Sequence, residues 1–162
     1  MLLDGTGEIR DDWVHVADDA PIPVTGPVLV PLARLTEALA ARTAAGVLIP
    51  NDTDPAELAP VLPRLGLIAV EFPGFADGRG FSIAQRLRDL DYQGRLRAHG
   101  PVIADQFAYL LACGFDEVAV PADIAARQPA EQWIAQLGKI SLGYQRGRPT
   151  PSITDRRGAA TG

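Results

Sequence analysis

From Pro27 onward, short apolar runs alternate with stretches that carry helix start and stop signals, and this alternation constrains the fold more than any other feature. Strands separated by helices of about ten residues are typical of βαβ units, whose crossovers make neighbouring strands parallel. The sequence therefore predicts an α/β fold of about five βα units with a mostly parallel sheet. The runs of strand length are Val28–Val30, Val47–Ile49, Leu67–Phe72, Arg95–Ala98 and Glu117–Val120.

Two arrangements of these units remain open, because their number is too small for a closed barrel of eight units. An open, doubly wound sheet is the first choice. A half-barrel that completes its sheet edges through a partner chain, and so forms a homo-oligomer, is the second. Before the alternation begins, the sequence predicts an N-terminal β-hairpin, with Leu2 and Leu3 in one arm, Asp4–Gly7 as the turn and Glu8–Val16 as the other arm.

Glycines and capping residues predict where the helices begin and end. A helix over about residues 32–45 is expected to end at Gly46, and the next helix is expected to close at Gly66. A third helix is predicted over about residues 82–90, with Ser82 at its start.

Length and local composition define the domains. A chain of 162 residues fits a single domain, which we assign to residues 1–145. Residues 146–162 carry a charge of +3, whereas the rest of the chain carries −8, and they contain almost no large apolar side chain. Such a segment cannot bury enough surface to offset the entropy of ordering it. We therefore predict a disordered basic tail that is solvated rather than docked on a partner.

Charge, hydropathy and cysteine content exclude several classes of protein. The net charge of −5 argues against nucleic-acid binding, because contacts to phosphates need clustered cations. No apolar stretch approaches the roughly 20 residues of a membrane helix, and acidic residues interrupt the start of the chain where a secretory signal would be apolar. Cys113 is the only cysteine, which excludes an intramolecular disulfide and a site with four cysteine ligands. We expect a cytoplasmic protein that neither binds nucleic acid nor spans a membrane.

Polar side chains follow the ends of the predicted strands. In open α/β sheets, ligands bind outside the carboxyl ends of the strands, so these side chains are the first candidates for a site. Asn51 and Asp52 follow the second strand of the alternation. The candidate ligand-binding residues after the third and fourth strands are Asp77, Gly78, Arg79, Gly80, Ser82, His99, Asp105 and Gln106.

The loop that ends at Ser82 is the most informative of these segments. Two glycines flank Arg79 between a strand and a helix, so backbone N–H groups and a guanidinium could converge on an anion or a charged partner. In the alternative interpretation the loop only turns the chain: Gly78 and Gly80 supply left-handed backbone angles, Ser82 begins a capping box, and Arg79 pairs with Asp77. Both interpretations remain open at this point.

Signals for cofactors and metals are weak or missing. Gly78, Gly80 and Ala84 loosely resemble a dinucleotide fingerprint, but the acid expected about 20 residues later is absent. His15 and His99 do not have the spacing of a metal motif. His99 could act as an acid–base group, although a lone histidine at a strand end is more often a hydrogen-bonded loop residue. We predict no cofactor and no metal, and we assign no catalytic residue.

A longer string of residues resembles a known bacterial family. The resemblance is carried by Phe72, Phe75, Asp77–Ser82, Ala84, Leu87, Arg88, Tyr92, Gly94, Leu96–Ala98, Gly100, Asp105, Gln106 and Cys113–Asp116. Together they resemble the family of proteins of unknown function that are encoded beside sulfite reductase in assimilatory sulfate-reduction operons and are commonly labelled oxidoreductases of sulfite reduction. Asp91 and Pro101 depart from the family pattern at two turns.

The resemblance implies a role in sulfite reduction, and the chemistry of the chain limits that role. Reducing sulfite requires a redox cofactor, and this chain has one cysteine and no flavin or nicotinamide fingerprint. An accessory protein fits better, one that binds sulfite reductase, its electron donor or a small anion through the loop Asp77–Ser82. The alternative is a small oxidoreductase or another enzyme that acts on a sulfur- or phosphate-containing ligand at the same strand-end site.

Overall fold

One mixed sheet forms the centre of the fold. A computed structural model of the chain describes residues 1–144, within which eight strands pair in the order β2-β1-β8-β7-β6-β5-β4-β3. Strands β3 to β8 are parallel, whereas β1 runs antiparallel to both of its neighbours. This confirms the α/β class and the N-terminal antiparallel pair. The strands are β1 (Leu2–Asp4), β2 (Gly7–Ile9), β3 (Val14–His15), β4 (Val28–Pro31), β5 (Ala45–Ile49), β6 (Leu65–Glu71), β7 (Arg95–His99) and β8 (Glu117–Ala119).

Helices connect the parallel strands. The α-helices are α1 (Leu35–Ala41), α2 (Arg79–Asp89), α3 (Phe107–Ala112), α4 (Ala122–Arg127) and α5 (Ala130–Tyr144). Three-ten helices cover Leu32–Arg34, Pro55–Arg64 and Ala104–Gln106. The helix between β5 and β6 takes the three-ten form, and it contains Pro60 and Pro63, which cannot donate backbone hydrogen bonds. Asp54 caps it by accepting a 3.0 Å hydrogen bond from the Ala56 N–H.

The strand order decides between the two arrangements left open by the sequence. From β4 to β8 each new strand is added beside the previous one, so the order never reverses as it does in a doubly wound sheet. Right-handed crossovers that all advance in one direction place their helices on one face of the sheet. The observed arrangement is therefore the half-barrel.

The N-terminal segment shows how strongly this sheet curls. Strands β2 and β3 lie at opposite edges, yet only residues 10–13 separate Ile9 from Val14. Five fully extended residues span roughly 18 Å, whereas seven strand spacings in a flat sheet would span about 34 Å. The two edges can be joined this way only because the sheet is curled. We call residues 10–13 the crossing segment.

The crossing segment also corrects the predicted hairpin. Only Gly7–Ile9 pairs with β1, and the remainder of the expected arm leaves the hairpin for the other edge of the sheet, where Val14 and His15 pair with β4. The break falls in the crossing segment, where Asp11 pairs with Arg97 on the inner face of the sheet instead of continuing a hairpin ladder.

The convex face of the sheet and the helices enclose the main core. Every second residue of the longer strands points to this face and is buried there. Three buried aromatic side chains outside the strands also belong to this core, namely Phe72, Phe107 and Trp133. The strand residues of this core include Leu3, Val30, Val47, Ile68, Val70, Leu96 and Val118. None of the helices within residues 1–144 is long and apolar enough to cross a membrane.

A smaller apolar cluster lies on the concave face. Leu29, Leu67 and Ala69 are buried there, and Trp13 of the crossing segment packs on them. The indole lies so close to the sheet that a Cβ atom on Gly46 would come within 2.9 Å of it, and one on Gly66 within 3.1 Å.

Three helix boundaries differ from the sequence prediction. Gly46 and Gly66 do not end helices but lie inside β5 and β6, where the missing side chains make room for Trp13. Helix α1 already ends at Ala41. Helix α2 begins at Arg79 rather than near Ser82, with Gly78 at its N-cap, and the Asp77 carboxylate just before the cap accepts a 3.2 Å hydrogen bond from the Arg79 N–H. The predicted tail, residues 146–162, lies outside the described residues.

Candidate functional site

The segment from Asp77 to Ser82 carries five of the predicted site residues at the carboxyl end of the sheet, with Asp77 and Gly78 in the loop between β6 and α2 and the other three in the first turn of α2. Its Arg79 guanidinium makes a two-pronged pair with Asp77, with Nε–Oδ1 at 3.1 Å and Nη2–Oδ2 at 2.8 Å. This is the pairing foreseen in the alternative interpretation of the loop. Because the side chain of Arg79 remains 62% exposed, the pair lies at the surface.

Asp77 is held in its charged form by its surroundings. The hydrogen bonds from Arg79 keep the pKa of the carboxyl well below its usual range, and the nearby Asn51 side chain acts in the same direction. Asn51 reaches this place from the carboxyl end of β5, as its position in the sequence predicts, and it is buried. An anion at Arg79 would therefore have to displace a carboxylate that is always ionised at physiological pH.

The glycines and the serine of the loop have structural roles other than those predicted. Neither Gly78 nor Gly80 has a positive φ, so left-handed turn angles do not explain them. A Cβ on Gly80 would come within 2.5 Å of the Phe72 ring, which shows that this glycine permits close packing of α2 on the core. Ser82 lies within α2, and its Oγ donates a 2.9 Å hydrogen bond to the Arg79 carbonyl rather than forming a capping box at the start.

Phe75 and Phe81 lie within two positions of the charged pair in the chain, and Tyr109 contacts Phe81 from α3. Phe75 is 59% exposed and Tyr109 is 57% exposed. The rings of Phe81 and Tyr109 lie 4.8 Å apart, and the Gln106 amide ties the loop to the start of α3 through a 2.7 Å hydrogen bond to the Phe75 carbonyl. We call the area formed by Phe75, Asp77, Arg79, Phe81 and Tyr109 the loop surface.

Two of the remaining predicted residues lie beside this surface. Gln106 supports the loop through the bond just described and also accepts a hydrogen bond from the Ile103 N–H at 3.1 Å. Asp105 is exposed on the same three-ten turn. The structure thus brings Gln106 to the Asp77–Ser82 loop, whereas His99 belongs to a different group of residues.

A second polar group lies on the concave face of the sheet and includes residues that the sequence analysis did not select. Arg97 is buried to 1% exposure and donates to Glu117 at 2.8 Å. Its Nη1 and Nη2 atoms also donate hydrogen bonds to the two carboxylate oxygens of Asp11 in the crossing segment, at 2.9 and 3.0 Å. Arg95 binds the other oxygen of Glu117 from the rim. The signal that could have revealed this group is the strict alternation of polar and apolar residues in Arg95–His99, which gives β7 one polar face.

Asp11 is the centre of this group. Burial raises its pKa, but hydrogen bonds from Arg97 and His15 outweigh burial and lower the pKa to about 2. The contact with His15 Nε2 is 2.9 Å long. The crossing segment is therefore held against the sheet by two contacts. The ionised Asp11 carboxylate binds Arg97, and the Trp13 side chain packs on the apolar cluster of the concave face.

His99 ends β7 beside this group. Its ring lies 5.9 Å from that of His15, and its Nδ1 is buried without a hydrogen-bond partner among the described residues. Burial lowers the pKa of His99, and the neighbouring His15 and Arg97 add to that effect, while Asp11 opposes it. The imidazole is consequently neutral near pH 7.

A pocket of about 320 Å³ opens at the carboxyl ends of β7 and β8, next to His99. Asp11 of the crossing segment lines one side of it, and the segment from Ala119 to Pro121 lines another. The five predicted loop residues do not contribute to its lining. Within residues 1–144, no group of three or more His, Cys, Asp or Glu side chains is placed to hold a metal ion.

Cys113 is buried, as expected for a small apolar side chain. Burial raises the pKa of its thiol, so the reactive thiolate form is disfavoured at neutral pH.

A family model described as "Bacterial protein of unknown function (DUF934)" matches residues 46–153. This range contains the loop surface and His99, whereas Asp11, Trp13 and His15 precede it. No curated protein and no solved structure matches the chain.

Proposed function

The chain belongs to the bacterial family of unknown function DUF934, and we propose that it serves assimilatory sulfite reduction as an accessory protein that binds a partner protein through the loop surface. The observation that supports this proposal best is that the loop surface combines two exposed aromatic side chains, Phe75 and Tyr109, with the exposed Asp77–Arg79 pair. Aromatic residues and arginine are enriched at the centres of protein interfaces, where they contribute most of the binding energy.

A partner protein is favoured over a free anion by the state of Arg79. Its guanidinium is already matched by Asp77, so a small anion gains little by binding at this point. A protein partner can contact the aromatic rings and the pair together, without separating the two charges. The partner that the family resemblance implies is sulfite reductase or its electron donor, and the proposed location is the cytoplasm.

The first experiment measures binding directly. The purified chain is titrated with purified sulfite reductase and, separately, with its electron donor. We expect Phe75→Ala and Arg79→Ala each to weaken binding at least about tenfold, which corresponds to about 1.4 kcal/mol. Arg127→Ala is the matched control, because Arg127 forms an exposed pair with Asp123 on α4, where both side chains are 70% exposed.

Growth provides the second readout. A deletion strain that carries the unmodified gene should grow on sulfate, whereas the same strain with Phe75→Ala or Arg79→Ala should need cysteine. Thermal unfolding of each variant should match the unmodified protein, since removing an exposed side chain costs little stability. Full growth on sulfate with both variants, or no binding of either partner by the unmodified chain, would contradict the proposal.

The visible absorption spectrum separates this role from the enzyme alternative. An accessory protein of the proposed kind is colourless after purification. A stoichiometric flavin or haem would instead support an oxidoreductase. A free anion at Arg79 is tested by titrating sulfite alone, and saturable binding that Arg79→Ala abolishes would favour the anion over the partner.

A further inference from the structure

The two arginines on the exposed side of α2 are both neutralised by neighbouring carboxylates. Arg79 makes the two-pronged pair with Asp77. Arg86 pairs with Asp54 through a 2.7 Å contact between Nη2 and Oδ1, and both of these side chains are exposed. Arg86 follows Arg79 by seven positions, about two turns of helix, so the two guanidinium groups lie on the same side of α2. This side of the helix therefore has no positive charge left over beside the loop surface.

Two further carboxylates lie next to the loop surface. Asp52 is exposed in the turn after β5. The pKa of Arg79, which its hydrogen bonds to Asp77 raise most, is raised further by the charge of Asp52, so the two groups are close. Asp105 is exposed on the three-ten turn that holds the Phe75 carbonyl. No basic side chain within residues 1–144 forms an ion pair with Asp52 or Asp105, so both charges are directed to solvent.

The loop surface and its surroundings are consequently acidic. The six charged side chains just described are four carboxylates and two guanidinium groups, which leaves a net charge of −2. Residues 1–145 as a whole carry −8, so the long-range field of the chain has the same sign. A charged surface attracts and orients a partner of the opposite sign and rejects a partner of like sign. An acidic protein surface or a polyanion is therefore disfavoured at this place.

We propose that the partner docks on the loop surface through a basic face, on which lysine or arginine side chains meet Asp52 and Asp105 while an apolar area receives Phe75 and Tyr109. This inference rests on the proposed function, because it specifies the chemistry of the protein that the loop surface binds. Charges at the rim of an interface act mainly on the rate of association, whereas buried contacts act mainly on the rate of dissociation. The acidic and the aromatic contributions can therefore be measured separately.

The first measurement is the association rate of whichever partner binds, sulfite reductase or its electron donor. We expect association to slow at least about tenfold between about 0.05 and 0.5 M NaCl, because salt screens surface charges. The rim variant, Asp52→Lys/Asp105→Lys, should associate at least about tenfold more slowly at low salt, with a dissociation rate changed less than about threefold. The control variant, Glu8→Lys/Asp89→Lys, changes the net charge by the same amount at exposed positions on β2 and at the last residue of α2, and its association rate should change less than about threefold.

A pair of synthetic peptides tests the same chemistry without the natural partner. The full chain is titrated with a peptide of alternating lysine and leucine and, separately, with a peptide of alternating glutamate and leucine, and the backbone amides are followed by nuclear magnetic resonance. We expect saturable shifts at Phe75, Arg79 and Tyr109 with the lysine peptide and none with the glutamate peptide. These shifts should be lost in the rim variant and kept in the control variant.

The outcomes separate this inference from the proposed function. If neither protein binds, the proposed function is contradicted, and the peptides alone decide the charge preference of the loop surface. If a partner binds but associates with the rim variant as fast as with the unmodified chain, the basic face is overturned while the proposed function stands. The inference is also overturned if the glutamate peptide binds as tightly as the lysine peptide, or if the lysine peptide gives no saturable shift at the loop surface.

Discussion

Arg97 connects parts of the chain that lie 86 residues apart, because its guanidinium binds Glu117 on the neighbouring strand and Asp11 on the crossing segment. Removing the guanidinium would leave the buried Glu117 carboxylate with Arg95 as its remaining partner, and Asp11 would lose both of its hydrogen bonds from Arg97. Losing one member of a buried ion pair costs about 3–5 kcal/mol. We therefore expect Arg97→Met to lower the free energy of unfolding by about 3–5 kcal/mol in urea denaturation.

Arg95 provides the matched control for this prediction. It binds the same carboxylate from the same strand face, but its side chain is 48% exposed. An exposed pair contributes about 0–1 kcal/mol, so Arg95→Met should cost no more than that. Equal losses for the two variants would show that burial of Arg97 is not the source of its contribution.

His99 should make the stability of the protein depend on pH near neutrality. Its pKa is lower in the folded state than its ordinary value of 6.5, so the unfolded chain binds the proton first as the pH falls. The stabilising effect is complete above pH 6.5 and is lost as the pH drops through the folded pKa. Urea denaturation between pH 8 and pH 5 should show stability falling below about pH 6.5, and His99→Leu should flatten that fall.

Asp11 contributes in a separate and more acidic window. Its pKa is lowered from 3.8 to about 2, so its stabilising effect is present above pH 3.8 and is lost as the pH falls toward 2. The effect of His99 begins to be lost at pH 6.5 and that of Asp11 only at pH 3.8, which allows the two residues to be separated in one series of measurements. A fall between pH 8 and pH 5 that persists in His99→Leu would assign the neutral window to another group.

At the scale of elements, α2 illustrates a conflict between helix propensity and packing. Alanine is the better helix former by about 1 kcal/mol, and on that ground alone Gly80→Ala would stabilise α2. The added Cβ would meet the Phe72 ring at 2.5 Å, and this ring cannot move away because it packs against Phe81 and Phe115. We expect Gly80→Ala to lower the melting temperature and to destabilise the fold by about 1–3 kcal/mol.

Gly78 tests this explanation at the N-cap of the same helix. A Cβ there would lie 3.9 Å from its nearest neighbour, an ordinary contact, and its φ is negative. Gly78→Ala should therefore leave the melting temperature within a few degrees of the unmodified protein. A comparable loss for both variants would show that the helix start, and not the Phe72 contact, is sensitive to substitution.

The elements themselves were largely predictable, because most of the parallel strands are apolar runs bounded by glycine, proline or charged residues. The roles of the glycines were not. Gly46 and Gly66 look like helix ends in the sequence, and only the position of Trp13, more than 30 residues earlier, explains their presence inside strands. Contacts of this kind depend on the strand order, which local signals do not encode.

For the candidate sites, too, contacts between residues close in the chain were predictable and contacts that depend on the strand order were not. The Asp77–Arg79 pair is local and could be foreseen, since the two residues are separated by one position. The Arg97–Asp11 contact joins the crossing segment to β7 and became apparent only once the sheet was seen to curl. His99 was selected correctly as a strand-end residue, but its companions Asp11 and His15 were assigned to a hairpin and so were missed.

At the scale of the whole molecule, the first 45 residues are part of the fold although the family match begins at residue 46. They contribute four of the eight strands of the described sheet, and β1 lies between β2 and β8 and pairs with both. They also provide the crossing segment that covers Leu67 and Ala69 and neutralises Arg97. The matched segment is therefore not expected to form a core of its own.

Two truncations test this directly. A chain of residues 46–162 should lack a cooperative thermal transition, because it loses half of the sheet and exposes the charged and apolar side chains of the concave face to water. A chain of residues 1–145 is the control, since the sequence of the removed tail offers almost no apolar surface to bury. Its melting temperature should stay within about 4 °C of the full chain, a shift that corresponds to roughly 1 kcal/mol for a domain of this size. Circular dichroism recorded on heating measures the thermal transitions of both truncated chains.

Cooperative unfolding of the 46–162 chain would mean that the crossing segment is an addition to a domain that is already stable. The stabilisation assigned to Arg97 would then have to come from its pair with Glu117 alone.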